Sequence, residues 1–127
     1  MKMSDLMKLN QLQYKVNNKK MLIKTTYKFT RLFKELNEHA KFFQDTISNL
    51  IKEYGERDEN GEFVLTENKA GIVIQKDKQE ECMQKMNELD NLEITLQYVP
   101  TFTLDELDTL ELSMNEMEVL MPLIDEE

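Results

Sequence analysis

The sequence contains one cysteine, one histidine and no tryptophan. A single Cys82 excludes an internal disulfide and is typical of a reducing compartment such as the cytoplasm. Because His39 is the one histidine, a metal site or catalytic dyad would have at most one imidazole per chain. In place of tryptophan the chain carries nine methionines, which we expect to fill irregular gaps in its core.

Long apolar runs are also missing. No run approaches the roughly 18 residues that cross a bilayer, so no membrane partner is predicted. The N-terminus lacks the apolar core of a signal peptide, because Lys8, Asn10 and Gln11 interrupt it. With 40% hydrophobic and 32% charged residues, the chain is predicted to be a soluble folded protein with a single domain spanning residues 1–127.

Basic residues are absent from the last third of the chain. Residues 1–34 contain nine Lys or Arg and one acid, whereas residues 86–127 contain twelve acids and no Lys or Arg. The whole chain has a formal net charge of −9. Such asymmetry between the two ends points to a binding partner or to pairing of the ends with each other.

One segment has the spacing of a long amphipathic helix. Between Thr25 and Tyr54 apolar residues recur every three or four positions, which places them on one face. Thr25 or Thr26 is suited to cap the start, and Gly55 is suited to a left-handed residue after the end. A helix about 45 Å long exceeds what one small core needs, so we expect it to overhang that core or to pack on a partner.

Shorter helices are predicted on both sides. Residues 4–16 and 77–90 have helical spacing, and the apolar residues 21–23 are expected to pack against the long helix. Three patterns typical of capped helix starts lie in the second half of the chain. They are Asp77/Glu80, Thr103/Glu106 and Ser113/Glu116.

Three short segments are predicted to be extended. Residues 63–65 and 72–74 are β-prone runs that indicate a hairpin, and residues 93–99 alternate apolar and polar side chains like a half-buried strand. The predicted fold class is therefore α+β, mainly α. Its spine is a long central helix packed by shorter helices, with a small β-hairpin or sheet at one end.

No motif predicts catalysis, a cofactor or a metal. Asp58-Glu59-Asn60-Gly61 fails the EF-hand pattern, because Gly61 is fourth from Asp58 instead of sixth. Cys82 shares a helix face with apolar residues and is expected to be a buried thiol, and His39 is expected at the edge of the long helix's apolar face. The sequence therefore predicts no enzyme, no cofactor and no metal.

The basic N-terminal third has two interpretations. Its lysines are interleaved with Tyr14, Tyr27, Phe29 and Phe33, as in some nucleic-acid-binding segments. However, the two phenylalanines already belong to the apolar face of the long helix, and only one of the nine cations is Arg. Pairing with the acidic C-terminal third, within one molecule or between protomers, is therefore favoured over direct nucleic-acid binding.

Several short motifs resemble a known group of proteins. They are Tyr54-Gly55, Asp58-Glu59-Asn60-Gly61, Leu110-Glu111-Leu112-Ser113 and the segment from Pro122 to Glu127. In these motifs and in the order of its elements, the chain resembles a family of small uncharacterised proteins from phages and prophages of Gram-positive bacteria. The resemblance implies a phage origin and no site residues. Together with the single cysteine, it makes the host cytoplasm the predicted location.

The acidic C-terminal third is the predicted contact surface. Its carboxylates could occupy the positively charged groove of a nucleic-acid enzyme by imitating phosphates, while exposed apolar residues would slow dissociation. The predicted function is a non-enzymatic phage-encoded protein that inhibits or modulates a host nucleic-acid-handling or defence protein. The alternative is a virion or tail assembly factor, or a chaperone, that forms a homo-oligomer or pairs with a phage protein through the long helix. The candidate partner-binding residues are Asp105, Asp108, Glu111, Met114, Glu118 and Met121.

Overall fold

A computed structural model describes residues 1–125 and is mainly helical. Within these residues the α-helices are α1 (Met3–Gln11), α2 (Gln13–Val16), α3 (Ile23–Tyr54), α4 (Gln79–Asp90) and α5 (Met114–Leu120). A turn of 3-10 helix precedes α4 at Lys76–Lys78, and another follows α5 at Met121–Leu123. The chain divides into a first unit, residues 1–40 with the chain from Glu93 onward, and a second unit, residues 41–92.

The predicted long helix is confirmed. Helix α3 runs for 32 residues, and its predicted apolar face is buried or half-buried along its length. The predicted cap at Thr25 or Thr26 is wrong, because the helix already begins at Ile23. Thr25 is instead 1% exposed, and its hydroxyl donates a hydrogen bond to Glu106 at 2.9 Å.

Gly55 follows α3 for a steric reason. Gly55 does not adopt the expected left-handed conformation. Among the glycines of the described chain, positive φ occurs at Gly61, with a φ of 79°. A Cβ atom on Gly55 would lie 2.5 Å from the Ile51 carbonyl oxygen and 2.8 Å from the Phe63 ring. The missing side chain therefore allows the Phe63 ring to pack against the end of the helix.

The first unit is built around stacked aromatic rings. Phe29 of α3 stacks on Phe102 with ring centroids 4.4 Å apart, and Phe102 is fully buried. The predicted helix over residues 4–16 is divided at Leu12 into α1 and α2. Burial of Phe29, Phe102 and the apolar side chains that surround them supplies the main driving force for folding of the unit. Its other buried apolar residues include Met3, Leu6, Leu9, Val16, Leu32, Leu36, Leu107, Leu110, Leu120 and Leu123.

The apolar residues between α2 and α3 do not pack as predicted. Leu22 is 79% exposed and Ile23 is 89% exposed, while Met21 is partly buried. The expectation that residues 21–23 pack against the long helix is therefore wrong for two of the three. Helix α3 begins at Ile23, before its apolar face reaches the core at Thr25 and Phe29.

The predicted strand over residues 93–99 does not form. Its side chains do alternate, with Ile94, Leu96 and Tyr98 half-buried and their neighbours exposed. Within residues 1–125, only its first residues pair with another extended segment, through an isolated bridge between Lys2 and Glu93 and a hydrogen bond from the Ile94 amide to Met1. Further along, the Glu35 carboxylate accepts the hydrogen bonds instead. The amide of Gln97 donates to it at 2.6 Å and the amide of Tyr98 at 3.0 Å. The alternation therefore indicates which side of an extended segment is buried. It does not indicate that the segment belongs to a sheet.

The predicted hairpin is also absent, so the α+β fold class is wrong for residues 1–125. Three extended segments share their backbone hydrogen bonds in a closed triangle. The amide of Glu56 donates to Val73, that of Val73 to Val64, and that of Val64 to Glu56, at 2.7 to 2.8 Å. A two-stranded ladder needs successive bonds between the same two segments. Here each segment divides its bonds between two neighbours, which leaves isolated bridges such as Leu65–Ile72.

The second unit has a small core that includes a thiol. Leu50 and Tyr54 of α3 pack with Cys82 of α4, and Ile74 and Met86 pack against them. Cys82 is a buried free cysteine, as predicted. The predicted Asp77/Glu80 cap is wrong, because α4 begins after Lys78 and no side chain caps it.

Within residues 1–125, no helix is both long enough and apolar enough to cross a membrane.

Replacing Gly55 by alanine tests the close contact at the end of α3. We expect Gly55→Ala to lower the thermal unfolding midpoint, because its methyl group would collide with a backbone oxygen and with the Phe63 ring. The matched control is Gly71→Ala, where the nearest atom is 3.8 Å away. Equal midpoints for the two variants in calorimetry would contradict the steric explanation.

Candidate functional site

Glu106 links the basic and acidic ends of the chain. Its carboxylate accepts hydrogen bonds from the Thr25 hydroxyl at 2.9 Å, the Lys28 ammonium at 3.0 Å and the Thr103 amide at 3.1 Å. Burial acts to raise the pKa of Glu106, but these bonds outweigh it and lower the pKa to about 2. The prediction that Thr103/Glu106 starts a helix is wrong, because residues 104–109 form a turn, which the two side chains fix by the same reciprocal hydrogen bonds.

Glu116 forms a second link of the same kind. Its carboxylate accepts a hydrogen bond from Lys15 at 2.6 Å, from the Ser113 amide at 2.9 Å and from the Tyr14 hydroxyl at 3.1 Å. Ser113 and Glu116 form the predicted capping box at the start of α5. The hydrogen bond from Lys15, with those from Ser113, lowers the pKa of Glu116 to about 2.

The favoured pairing of the basic end with the acidic end therefore occurs within one molecule. The side chains of both ion pairs, Lys28–Glu106 and Lys15–Glu116, are less than a third exposed. A third ion pair joins the N-terminal ammonium to Glu93 at 2.7 Å, and it lowers the pKa of that carboxyl. Two of the three acids in these pairs are the acids of helix-start patterns.

All six candidate partner-binding residues are exposed. Met114 is 83% exposed and Met121 is 52% exposed. Both lie on one helical face with Glu118, because these residues are spaced by four and three positions. We call the six residues the acidic surface; its members are Asp105, Asp108, Glu111, Met114, Glu118 and Met121.

The acids of this surface differ from Glu106 and Glu116. Within residues 1–125, the carboxylates of Asp105, Asp108 and Glu118 make no hydrogen bond or ion pair. Asp105 and Asp108 lie in the turn between Phe102 and Leu110. Their charges are hydrated rather than used to hold the fold, so they are available to a partner.

The basic third offers a poor stacking surface for bases. Phe29 and Phe33 are 2% and 5% exposed, so their rings belong to the core. Tyr14 and Tyr27 are exposed, but the Tyr14 hydroxyl is bonded to Glu116. Arg31 lies with its guanidinium 4.1 Å from the Tyr98 ring centroid.

The residues considered for chemistry have structural surroundings. His39 is partly buried and lies 3.7 Å from Glu35, one helical turn away. Cys82 is 2% exposed, and in the described part of the chain no three His, Cys, Asp or Glu residues are placed to hold a metal ion.

Glu35 fixes the backbone of a distant segment, a role that the sequence did not indicate. It lies on α3 and is half-buried. Its carboxylate accepts hydrogen bonds from two backbone amides of the segment after Glu93. Its sequence context, Lys34-Glu35-Leu36, looks like an ordinary solvated helix position. No local signal distinguishes it, because its partners are more than 60 residues away along the chain.

Comparison of the chain with family models, curated proteins and solved structures finds no match. The resemblance to phage proteins therefore stays a prediction from short motifs.

Acidification tests the two linking glutamates. Both have a pKa of about 2 in the folded chain, against an ordinary value of 4.5. Between those pH values the unfolded chain binds more protons, so stability rises with pH in this window. The contribution of the two groups is complete above about pH 4.5 and is lost as the pH falls through about 2. Denaturant midpoints followed by circular dichroism across this range should show the slope.

The control for this experiment separates linking acids from surface acids. We expect Glu106→Gln/Glu116→Gln to be less stable at neutral pH and to lose most of the slope between pH about 4.5 and about 2. Asp105→Asn/Asp108→Asn should retain it. A slope unchanged in the first variant would contradict the role assigned to Glu106 and Glu116.

Proposed function

We propose that this chain is a non-enzymatic binding protein whose acidic surface docks on a basic surface of another protein. The partner that fits best is a protein that itself handles nucleic acid, because carboxylates can take the place of phosphates in its groove. In a phage setting, which rests on the motif resemblance, this partner is a host nucleic-acid-handling or defence protein in the host cytoplasm.

The observation that carries this proposal is the division of the acids. Glu106 and Glu116 are bonded to lysines, to hydroxyls and to backbone amides. The carboxylates of Asp105, Asp108 and Glu118 have no such bonds within residues 1–125. Acids that the fold does not use are those that a partner can desolvate without weakening the fold.

Exposed methionines complement these charges. Met114 and Met121 are more than half exposed beside Glu118, and methionine adapts its shape to irregular apolar surfaces. Complementary charge mainly raises the rate of association, and buried apolar contacts mainly slow dissociation. A surface that combines both is suited to a tight complex that forms rapidly at low salt.

A second candidate function uses the long helix. Helix α3 extends for 32 residues, and Phe42 on it is 50% exposed in the second unit. An exposed phenylalanine on a long helix is suited to pairing with another chain, as an assembly factor or chaperone would need. If this function is the correct one, Phe42→Ser should abolish co-assembly while changes in the acidic surface leave it intact.

Neutralising the acidic surface tests the first function. The variant Asp105→Asn/Asp108→Asn/Glu111→Gln/Glu118→Gln should no longer retain a nucleic-acid-binding host protein from lysate. Duplex DNA should displace that protein from the unaltered chain, because DNA and the acidic surface would compete for the same groove on that protein. Raising the salt concentration should weaken the complex as well.

The matched control removes four exposed acids from the second unit: Glu59→Gln/Glu62→Gln/Glu67→Gln/Glu88→Gln. It changes the net charge by the same amount and should bind like the unaltered chain. Equal loss in both variants, or retention that DNA does not reduce, would contradict specific phosphate imitation.

A further inference from the structure

A groove with a basic rim lies between α2 and α3 in the first unit. Its volume is about 450 Å³, and Val16, Met21 and Phe33 supply part of its apolar lining. Lys19 and Lys34 also line it, and none of its described lining residues is acidic. A concave, mostly pre-formed site with an apolar lining and a few charged groups is the usual form of a binding site.

The chain beside this groove is unexpectedly apolar on its outside. Leu22 and Ile23 directly follow the lining residue Met21, and both are more than three-quarters exposed. Lys20 and Lys24 flank them and are exposed too. We call the groove together with residues 19–24 the basic groove.

The lysines of the basic groove are not used within the molecule. Lys15 and Lys28 carry the ion pairs to Glu116 and Glu106. In the described part of the chain, Lys19, Lys20 and Lys24 make no ion pair. Pairing of the two ends therefore accounts for two lysines and leaves these three beside exposed aliphatic side chains.

An occupant of this groove must meet three requirements. It must carry negative charge for the lysines, apolar groups for Leu22 and Ile23, and side chains that protrude far enough to enter a concavity. Nucleic acid fails the second requirement, because Phe29 and Phe33 are buried and aliphatic side chains do not stack on bases. An anionic bilayer fails the third, because a bilayer surface has no side chains that enter a concavity.

The acidic surface of a second copy of this chain meets all three. It presents the exposed carboxylates of Asp105 and Asp108 in the turn between Phe102 and Leu110. It also presents Glu118 on one helical face with Met114, which is 83% exposed, and with Met121. We infer that the basic groove of one copy binds the acidic surface of another. The inference rests on the proposed role of the acidic surface in protein binding and assigns that surface a second occupant.

Two consequences follow from this pairing. Each copy has one groove and one acidic surface, so association is either reciprocal between two copies or continues from copy to copy. Because a second copy and a basic host protein would use the same acidic surface, the two complexes exclude each other. Self-association would then occupy the acidic surface at high protein concentration and leave it free for a host protein on dilution.

The test uses two variants that neutralise one surface each. The groove variant is Lys19→Gln/Lys20→Gln/Lys24→Gln, and the surface variant is Asp105→Asn/Asp108→Asn/Glu118→Gln. In sedimentation over a concentration series at low salt, the unaltered chain should associate and both variants should be monomeric. We expect each variant to raise the dissociation constant by about tenfold or more.

Mixing the two variants gives the decisive result. The surface variant still has an intact groove and the groove variant still has an intact acidic surface, so one intact contact remains. The mixture should therefore form a one-to-one complex that grows no further. A mixture that stays monomeric while the unaltered chain associates would overturn the inference.

A second pair of variants tests the apolar contact. Leu22→Ser/Ile23→Ser should weaken association, whereas Leu65→Ser/Met83→Ser, at exposed apolar positions of the second unit, should not. All variants change exposed side chains, and circular dichroism should confirm that they fold. Equal association in all variants would also overturn the inference.

Failure of this inference can be told apart from failure of the proposed function. An unaltered chain that is monomeric at every concentration, yet binds a nucleic-acid-handling host protein through its acidic surface, would overturn the inference alone. Lysine-dependent binding of phosphatidylglycerol vesicles or of a single-stranded oligonucleotide, without self-association, would also overturn it and assign the groove to that ligand.

Discussion

Two half-buried glutamates link the N-terminal and C-terminal segments of the first unit. Glu106 and Glu116 each satisfy the backbone of their own turn and also accept a hydrogen bond from a lysine near the N-terminus. Such double use matters because each carboxylate is partly withdrawn from water, and these hydrogen bonds replace its hydration and favour its charged form. The local turn and the long-range ion pair therefore depend on each other. Replacing either glutamate would remove the hydrogen bond to its turn and also the ion pair with its lysine.

This arrangement changes the meaning of the charge asymmetry. The basic and acidic ends do pair within one molecule, but the ion pairs involve only a minority of their charges. Several of the remaining charges of the first unit belong to the basic groove or to the acidic surface, each of which includes exposed apolar side chains. Surplus charge next to exposed apolar area is typical of a surface that binds a protein, since charge alone would serve solubility.

The sequence predicted what depends on local periodicity. The long helix, the burial of Cys82 and the capping box at Ser113 are confirmed, because each follows from residues within a few positions of one another. The errors concern backbone partners that are distant in sequence. Residues 93–99 alternate as a strand would, yet the amides of Gln97 and Tyr98 donate to the Glu35 carboxylate and not to a neighbouring strand. Residues 63–65 and 72–74 are β-prone, yet a third segment at Glu56 divides their hydrogen bonds.

The candidate surface was predictable for a similar reason. Exposure of Asp105, Asp108 and Glu118 was expected from their charge, although Asp105 and Asp108 lie in a turn where a helix start was predicted. The exposure of Leu22 and Ile23 did not, because an apolar triplet before a helix is ordinarily expected to be buried. Such an exception to local rules is where a contact with another molecule is best sought.

The central claim is that the acids are divided into those that hold the fold and those that face a partner. Titration of the Glu106 and Glu116 side-chain carboxyl resonances by nuclear magnetic resonance tests it most directly. The account predicts that both remain ionised as the pH is lowered and change protonation only near a pKa of about 2. Midpoints near the ordinary value of 4.5 for these two groups would contradict it.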